Sequence, residues 1–315
     1  MTEKLNILFV DDEKQILIPL KAMFKKQYKV FTAVSGSDAL NIIRSHLISI
    51  IVSDQRMPEM SGIDLLKQVK EISPLTVRIL LTGYADLNAV VESVNTGEIF
   101  RFIEKPWNNE RLKKTIETAA NISLKLKLAK KESGINKQSE PSSDMPQQGN
   151  TNILVIDDAL DICAKVHHFF GHQYSVFCAN SLTESLTILK EREIAVLLTE
   201  TVVQGEEMSG LIHVLKESYP STVVVVLTTQ ADAHLVVRLI NEGQIFRYLP
   251  QPVENHVLEF SINAGLKRHT EFRSEPALLA SQQSVEKPDD EQTPASEGKL
   301  TMLRNKLKSM KKFWN

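Results

Sequence analysis

The feature that most constrains this chain is that it repeats itself. LNILFVDD at 5–12 returns as TNILVIDD at 151–158, and NTGEIFRF at 95–102 returns as NEGQIFRY at 241–248, both at an offset of 146. Thr82 aligns with Thr228 and Pro106 with Pro252 at the same offset. Between these anchors Ser61-Gly62 aligns with Ser209-Gly210 at an offset of 148, so the second copy gains two residues there and loses them again before Pro220. Anchors at both ends of roughly 120 residues imply duplication of a whole domain, so a fold that suits the chain is built twice. A length of 315 residues accommodates two such domains.

Each copy alternates strand and helix patterns. In the first, short apolar runs at 5–10, 28–33, 48–53, 77–82 and 100–104 read as buried strands. Helical patterns lie near 14–26, 36–46, 63–72, 85–96 and 108–131, punctuated by Ser35-Gly36, Met57-Pro58, Ser61-Gly62, Ser73-Pro74 and Lys105-Pro106. Five βα units with continuous apolar strands predict an α/β fold, a doubly wound parallel five-stranded sheet covered by helices on both faces, made twice. The expected domains are 1–132 and 151–270. They are joined by a Ser-, Gln- and Pro-rich linker at 133–150, and a second flexible stretch follows at 271–298.

Composition removes several function classes. With 37 basic and 39 acidic side chains the net charge is −2, which offers no general attraction to nucleic acid. No apolar run is long enough to span a bilayer, and the mixed N-terminus is not a signal peptide, so a cytoplasmic location is expected. Cys163 and Cys178, the two cysteines, are expected to be reduced thiols rather than a disulfide framework. The balance is local, however. The last 17 residues, 299–315, carry six bases and no acid.

In a doubly wound sheet, ligands sit at the carboxyl ends of the strands. Asp11 and Asp12 close strand 1, Asp54 closes strand 3, Thr82 closes strand 4 and Lys105 follows strand 5. Carboxylates gathered at one edge repel each other, and a hard cation relieves that repulsion. Oxygen ligands without a Cys or His cluster suit Mg²⁺ rather than zinc. A carboxylate beside such an ion can attack phosphorus, while a neighbouring ammonium and hydroxyl stabilise the phosphoryl oxygens.

At these residues the sequence resembles the receiver domain of two-component response regulators. The likeness rests on Asp11-Asp12, the run Asp54-Gln55-Arg56-Met57-Pro58-Glu59-Met60-Ser61-Gly62, Thr82-Gly83, Phe102 and Lys105-Pro106. It implies that Asp54 accepts phosphoryl from a sensor histidine kinase or histidine phosphotransfer protein. It also implies that Asp11 or Asp12, Asp54 and the Arg56 carbonyl hold Mg²⁺, that Thr82 and Lys105 bind the phosphoryl oxygens, and that Thr82 and Phe102 form a two-state switch.

The second copy retains Asp157, Asp158 and Thr228 but has Glu200 at the acceptor position and Gln251 at the lysine position. Gln251 keeps hydrogen bonding without charge, and the Met-Pro turn gives way to Val203-Gln204 and a longer Gly205-Glu206-Glu207 loop. This copy reads as a pseudo-receiver that does not turn over phosphate, its Glu200 either an acyl-phosphate mimic or a mark of decay.

No DNA-binding or enzymatic motif follows residue 270, so the expected function is a response regulator acting through protein contacts, with no enzyme activity beyond self-catalysed phosphorylation and hydrolysis. The alternative is a phosphorelay intermediate or phosphate sink. Leu300, Leu303, Leu307, Met310 and Trp314 form one helical stripe among basic residues. The segment 299–315 is therefore expected to be an amphipathic helix that docks on an unidentified downstream partner or a membrane surface, the other option being the chain's own acidic second domain.

Overall fold

The computed structural model describes residues 4–83, 101–135, 151–229, 239–241, 245–274 and 301–305. The chain divides into two compact units, 1–137 and 138–315.

In the first unit β1 (Asn6–Val10), β2 (Lys29–Ala33), β3 (Ile50–Asp54), β4 (Val77–Thr82) and β5 (Arg101–Glu104) pair in parallel in the order β2-β1-β3-β4-β5. The interleaved helices are α1 (Lys14–Phe24), α2 (Gly36–Ser45), α3 (Gly62–Ile72) and α4 (Asn109–Ile135). One sheet face carries Ile7, Phe9, Ile50, Val52, Ile79, Leu81 and Ile103, packed against Leu17, Leu20 and Phe24 of α1 and Leu112 and Ile116 of α4. Serines start two of the helices: Ser35 and Ser61 each accept a hydrogen bond from the backbone N–H three residues on, at Asp38 and Asp64. The helical pattern at 85–96 lies outside the described residues. α4 continues to Ile135, past the point where the linker was expected to begin at 133.

The second unit repeats the strand order. Its parallel strands are β6 (Asn152–Ile156), β7 (Ser175–Ala179), β8 (Ile194–Glu200), β11 (Val223–Thr228) and β12 (Arg247–Pro250), arranged β12-β11-β8-β6-β7. Its helices are α5 (Asp161–Phe170), α6 (Leu182–Glu191), α7 (Ser209–Ser218) and α8 (Asn255–Ser274). The loop expected at Gly205-Glu206-Glu207 is a small antiparallel hairpin, β9 (Val202–Val203) and β10 (Glu206–Glu207), turning through Gln204 (φ 49°) and Gly205 (φ 75°). The Lys105-Pro106 and Gln251-Pro252 peptides are both cis.

Two expectations change. Cys163 and Cys178, expected as two thiols without a linking role, are neighbours: packing of α5 over β7 sets their Cα atoms 6.0 Å apart. The part of the basic tail that is described, 301–305, is helical and lies on its own unit. Leu303 is buried, and Arg304 Nε and Nη2 donate to the Glu217 carboxylate of α7 at 2.9 and 3.0 Å. That contact favours the chain's own acidic domain over an outside partner or membrane as the surface for this stretch. The rest of 299–315 and the stretch 275–298 lie outside the described residues.

The entry of α3 depends on one glycine. A Cβ on Gly62 would stand 2.2 Å from the Asp54 carbonyl oxygen and 2.8 Å from the Leu80 side chain, whereas one on Gly83 would meet nothing within 4 Å. Gly62→Ala is therefore expected to destabilise the first unit by about 1–3 kcal/mol, the usual cost of overpacking, and to displace Asp54. Gly83→Ala should be near neutral, and chemical denaturation of the two variants provides the comparison.

Candidate functional site

Strand alternation explains why this edge becomes acidic. Asp11 continues the inward row Ile7, Phe9, and Asp54 continues Ile50, Val52. Lys105 follows Ile103 in the same phase. Each row stays apolar beneath the helices and turns polar where the strands emerge. Thr82 belongs to the opposite phase, with Leu80, and register pairs Leu80 with Phe102.

The structure joins three of the expected residues directly. Lys105 Nζ lies 3.0 Å from Asp11 Oδ2 and 2.5 Å from Asp54 Oδ1. The remaining oxygens are held by backbone: Glu13 N–H donates to Asp11 Oδ1 and Arg56 N–H to Asp54 Oδ2, both at 2.9 Å. Asp11 and Asp54 are buried, and Asp12 is exposed. Thr82 is buried at the same edge, its hydroxyl donating to the Gly83 carbonyl at 3.2 Å. Phe102 is buried, only 2% exposed.

Among the described residues no group of three acidic, His or Cys side chains is gathered closely enough to hold a metal. Asp12 is exposed, and the buried pair Asp11 and Asp54 shares one ammonium.

That sharing sets the electrostatics. Burial raises the Asp54 carboxyl above the ordinary aspartate range. The hydrogen bond and charge of Lys105 oppose the shift, and the charge of Asp11 adds to it. Burial pulls the Lys105 ammonium down, but hydrogen bonds to Asp54 and Asp11 outweigh it and the net shift is upward. The one cation is held by two anions, while Asp54 shares it with a charged neighbour.

At the corresponding strand ends of the second unit the polar groups are arranged differently. Gln251 Nε2 donates to Glu200 Oε1 at 2.7 Å. Asp157 Oδ2 accepts from Ile162 N–H at 2.9 Å, and Asp158 Oδ1 accepts from Gln204 N–H, in the hairpin turn, at 2.7 Å. Thr228 and Thr201 hydroxyls lie 3.4 Å apart. Glu200 is raised by burial and by the charges of Asp157 and Asp158, with Gln251 acting against the shift. Each acidic group thus has an uncharged protein donor, and the hairpin reaches over from a loop whose structure the residue pattern did not disclose.

Residues 7–117 match the sequence profile of the response regulator receiver domain. Sporulation initiation phosphotransferase F of Bacillus subtilis is 33% identical over 118 residues, which is 37% of this chain and 93% of that protein. The chain belongs to the response regulator receiver family. The hydrogenase transcriptional regulatory protein HoxA of Bradyrhizobium diazoefficiens is 31% identical over 117 residues, and the chain spans only 24% of its length. A signal receiver domain of an HD domain-containing protein from Pseudomonas fluorescens is 30% identical, covering 40% of this chain and 94% of that one, with a TM-score of 0.39.

A raised carboxylate pKa means that ionising Asp54 weakens the fold. The stability tied to this group is complete below the ordinary aspartate pKa and is lost as pH rises through the higher folded value. Asp54→Asn, neutral at every pH, should therefore raise Tm by a few degrees at pH 7, and the gain should disappear in acid. Thermal melts from pH 3 to 8 check this; a gain that persists at the lowest pH would contradict it.

Proposed function

We propose that the first unit is a phosphoacceptor whose Asp54 takes a phosphoryl group from a phosphohistidine of a sensor kinase or phosphotransfer protein. The observation that carries the reading is the Asp11–Lys105–Asp54 constellation at the carboxyl edge of a parallel sheet. A carboxylate oxygen of Asp54 would attack phosphorus as the nitrogen–phosphorus bond breaks, leaving an acyl phosphate on Asp54 and a free imidazole on the donor. Lys105, already placed against Asp54 Oδ1, would follow the charge onto the phosphoryl oxygens, and the Thr82 hydroxyl would donate a hydrogen bond to one of them.

Mg²⁺ fits this donor set. Asp11, Asp54 and the Arg56 carbonyl are hard oxygen donors, with the exposed Asp12 carboxylate adjoining them, and one or two carboxylates with water completing the shell are what this ion usually accepts. When bound it would offset the carboxylate charge that one ammonium leaves uncompensated, so that a further anion can approach. Phe102, on the Thr82 face of the sheet, is the residue whose packing would change when Thr82 engages a phosphoryl oxygen.

The second unit is, in this reading, a receiver-like domain that takes no phosphoryl group. Its acidic edge lacks an ammonium, and its carboxylates are occupied by Gln251, Ile162 N–H and Gln204 N–H. Output then runs through protein contacts. A relay role, in which Asp54 passes phosphoryl onward to a histidine, is the second reading. It is favoured by the likeness, over 93% of its length, to a protein named a phosphotransferase.

Intact mass after incubation with acetyl phosphate and Mg²⁺ should show one phosphoryl adduct. Asp54→Ala and chelation of the metal should each remove it, and an adduct surviving in Asp54→Ala would overturn the assignment. A rapid transfer of label from Asp54 to an added histidine phosphotransfer protein would select the relay reading.

The same assay tests the second unit in an Asp54→Ala background. Glu200→Asp alone should remain unlabelled, because a phosphoryl group there lacks its counter-charge, whereas Glu200→Asp with Gln251→Lys should show detectable labelling. Labelling of the single variant at the rate of Asp54 would show that the lysine is dispensable.

A further inference from the structure

Both cysteines of the chain lie in the second unit, and the fold sets them side by side. Cys163 occupies the first turn of α5 and Cys178 lies near the end of β7. Their Cα separation of 6.0 Å, across 15 residues of sequence, falls inside the roughly 4.4–6.8 Å that a disulfide spans.

The internal repeat supplies a control. The offset of 146 sets Cys163 against Leu17 and Cys178 against Thr32. The two environments match: β1 pairs with β2 in the register that β6 keeps with β7, Leu17 and Cys163 are 5% and 3% exposed, and Thr32 and Cys178 are both half-buried. The first unit fills the two neighbouring positions with a leucine and a threonine, which pack without linking. A lone cysteine at either position would be a small apolar filler. Thiols at both positions, and nowhere else in the chain, make a pair that can be joined.

We propose that Cys163 and Cys178 are a reversible oxidation site, closed into an intradomain disulfide by hydroperoxides. Cys178, half-buried, is the sulfur that an oxidant meets first. Its thiolate attacks the terminal oxygen of the hydroperoxide and the oxygen–oxygen bond breaks. Cys178 becomes a sulfenic acid, and the leaving oxygen takes up a proton to depart as an alcohol, or as water from hydrogen peroxide. The Cys163 sulfur then displaces hydroxide from the Cys178 sulfur, and with the Cys163 proton this leaves as water. Two thiols are oxidised to one disulfide and one hydroperoxide is reduced.

The bond has a definite place in the unit. Cys163 directly follows Ile162, whose N–H holds Asp157 Oδ2 at 2.9 Å. Linking Cys163 to β7 anchors the turn that supports the acidic edge, in the unit whose edge lacks the groups for phosphoryl chemistry.

The full-length protein, reduced and desalted, is exposed to hydrogen peroxide, and remaining thiols are alkylated. Expected are the loss of two hydrogens in mass, no alkylation, a Cys163–Cys178 linked peptide in a non-reducing digest, and full reversal by dithiothreitol. Oxidation should raise Tm by several degrees, since the link restricts the unfolded chain. Cys163→Leu and Cys178→Thr, the residues that the first unit uses, should each leave one alkylatable thiol and abolish the Tm difference. Complete alkylation of both cysteines after peroxide, a crosslink between chains, or sulfinic acid at Cys178 without linkage would overturn the proposal. The oxidised and reduced wild-type protein decides the matter even where a variant fails to fold.

Discussion

Parallel pairing is the constraint from which the rest follows. When β1, β3, β4 and β5 all run in one direction, their carboxyl ends reach a single edge, and residues distant in sequence become neighbours without long-range folding of loops. Alternation then decides which of them face one another. Asp11, Asp54 and Lys105 emerge in the phase of the apolar rows beneath α1 and α4, so a well-packed face and a charged end are two parts of the same row. Gly62 fits this arrangement: α3 begins against the Asp54 carbonyl, which only a residue without a side chain permits.

The two units solve the same electrostatic problem differently. In the first, the buried carboxylates of Asp11 and Asp54 are held by one shared ammonium, that of Lys105. In the second, the carboxylates of Glu200, Asp157 and Asp158 are held by an amide and two backbone N–H groups, which are dipoles and carry no net charge. The β9–β10 hairpin contributes one of those donors through Gln204. A two-residue gain in the sequence therefore does more than lengthen a loop: it supplies a protein ligand to Asp158.

Much of this was legible in the residues. Strand positions, the parallel order and the meeting of Asp11, Asp54 and Lys105 follow from apolar runs and from the place where each ends in a polar group. Three things were not legible. Exposure of Asp12 depends on strand phase, which a doublet of like residues conceals. The hairpin arises from Gln204 and Gly205 adopting positive φ, whereas the sequence showed only a loop of changed length. The meeting of Cys163 with Cys178 is a helix-to-strand contact, and neither periodicity reveals which residue of one element lies over which residue of the other. The docking of Leu303 and Arg304 was visible only as a choice among surfaces, because an amphipathic stripe specifies a kind of partner and not its identity.

The length of α4 bears on how the first unit hands the chain on. Lys127 Nζ still touches the body of the unit, donating to Ser49 Oγ at 2.8 Å, yet the helix continues to Ile135. At 1.5 Å per residue that is about 12 Å of regular backbone beyond the last described anchor. A helix bends far less readily than an open chain. A small tilt of its root, where the helix packs on β3 and β4, would therefore sweep its far end through a proportionally larger arc. The first unit thus ends in a stiff rod that would carry any tilt of its root to the start of the stretch that follows.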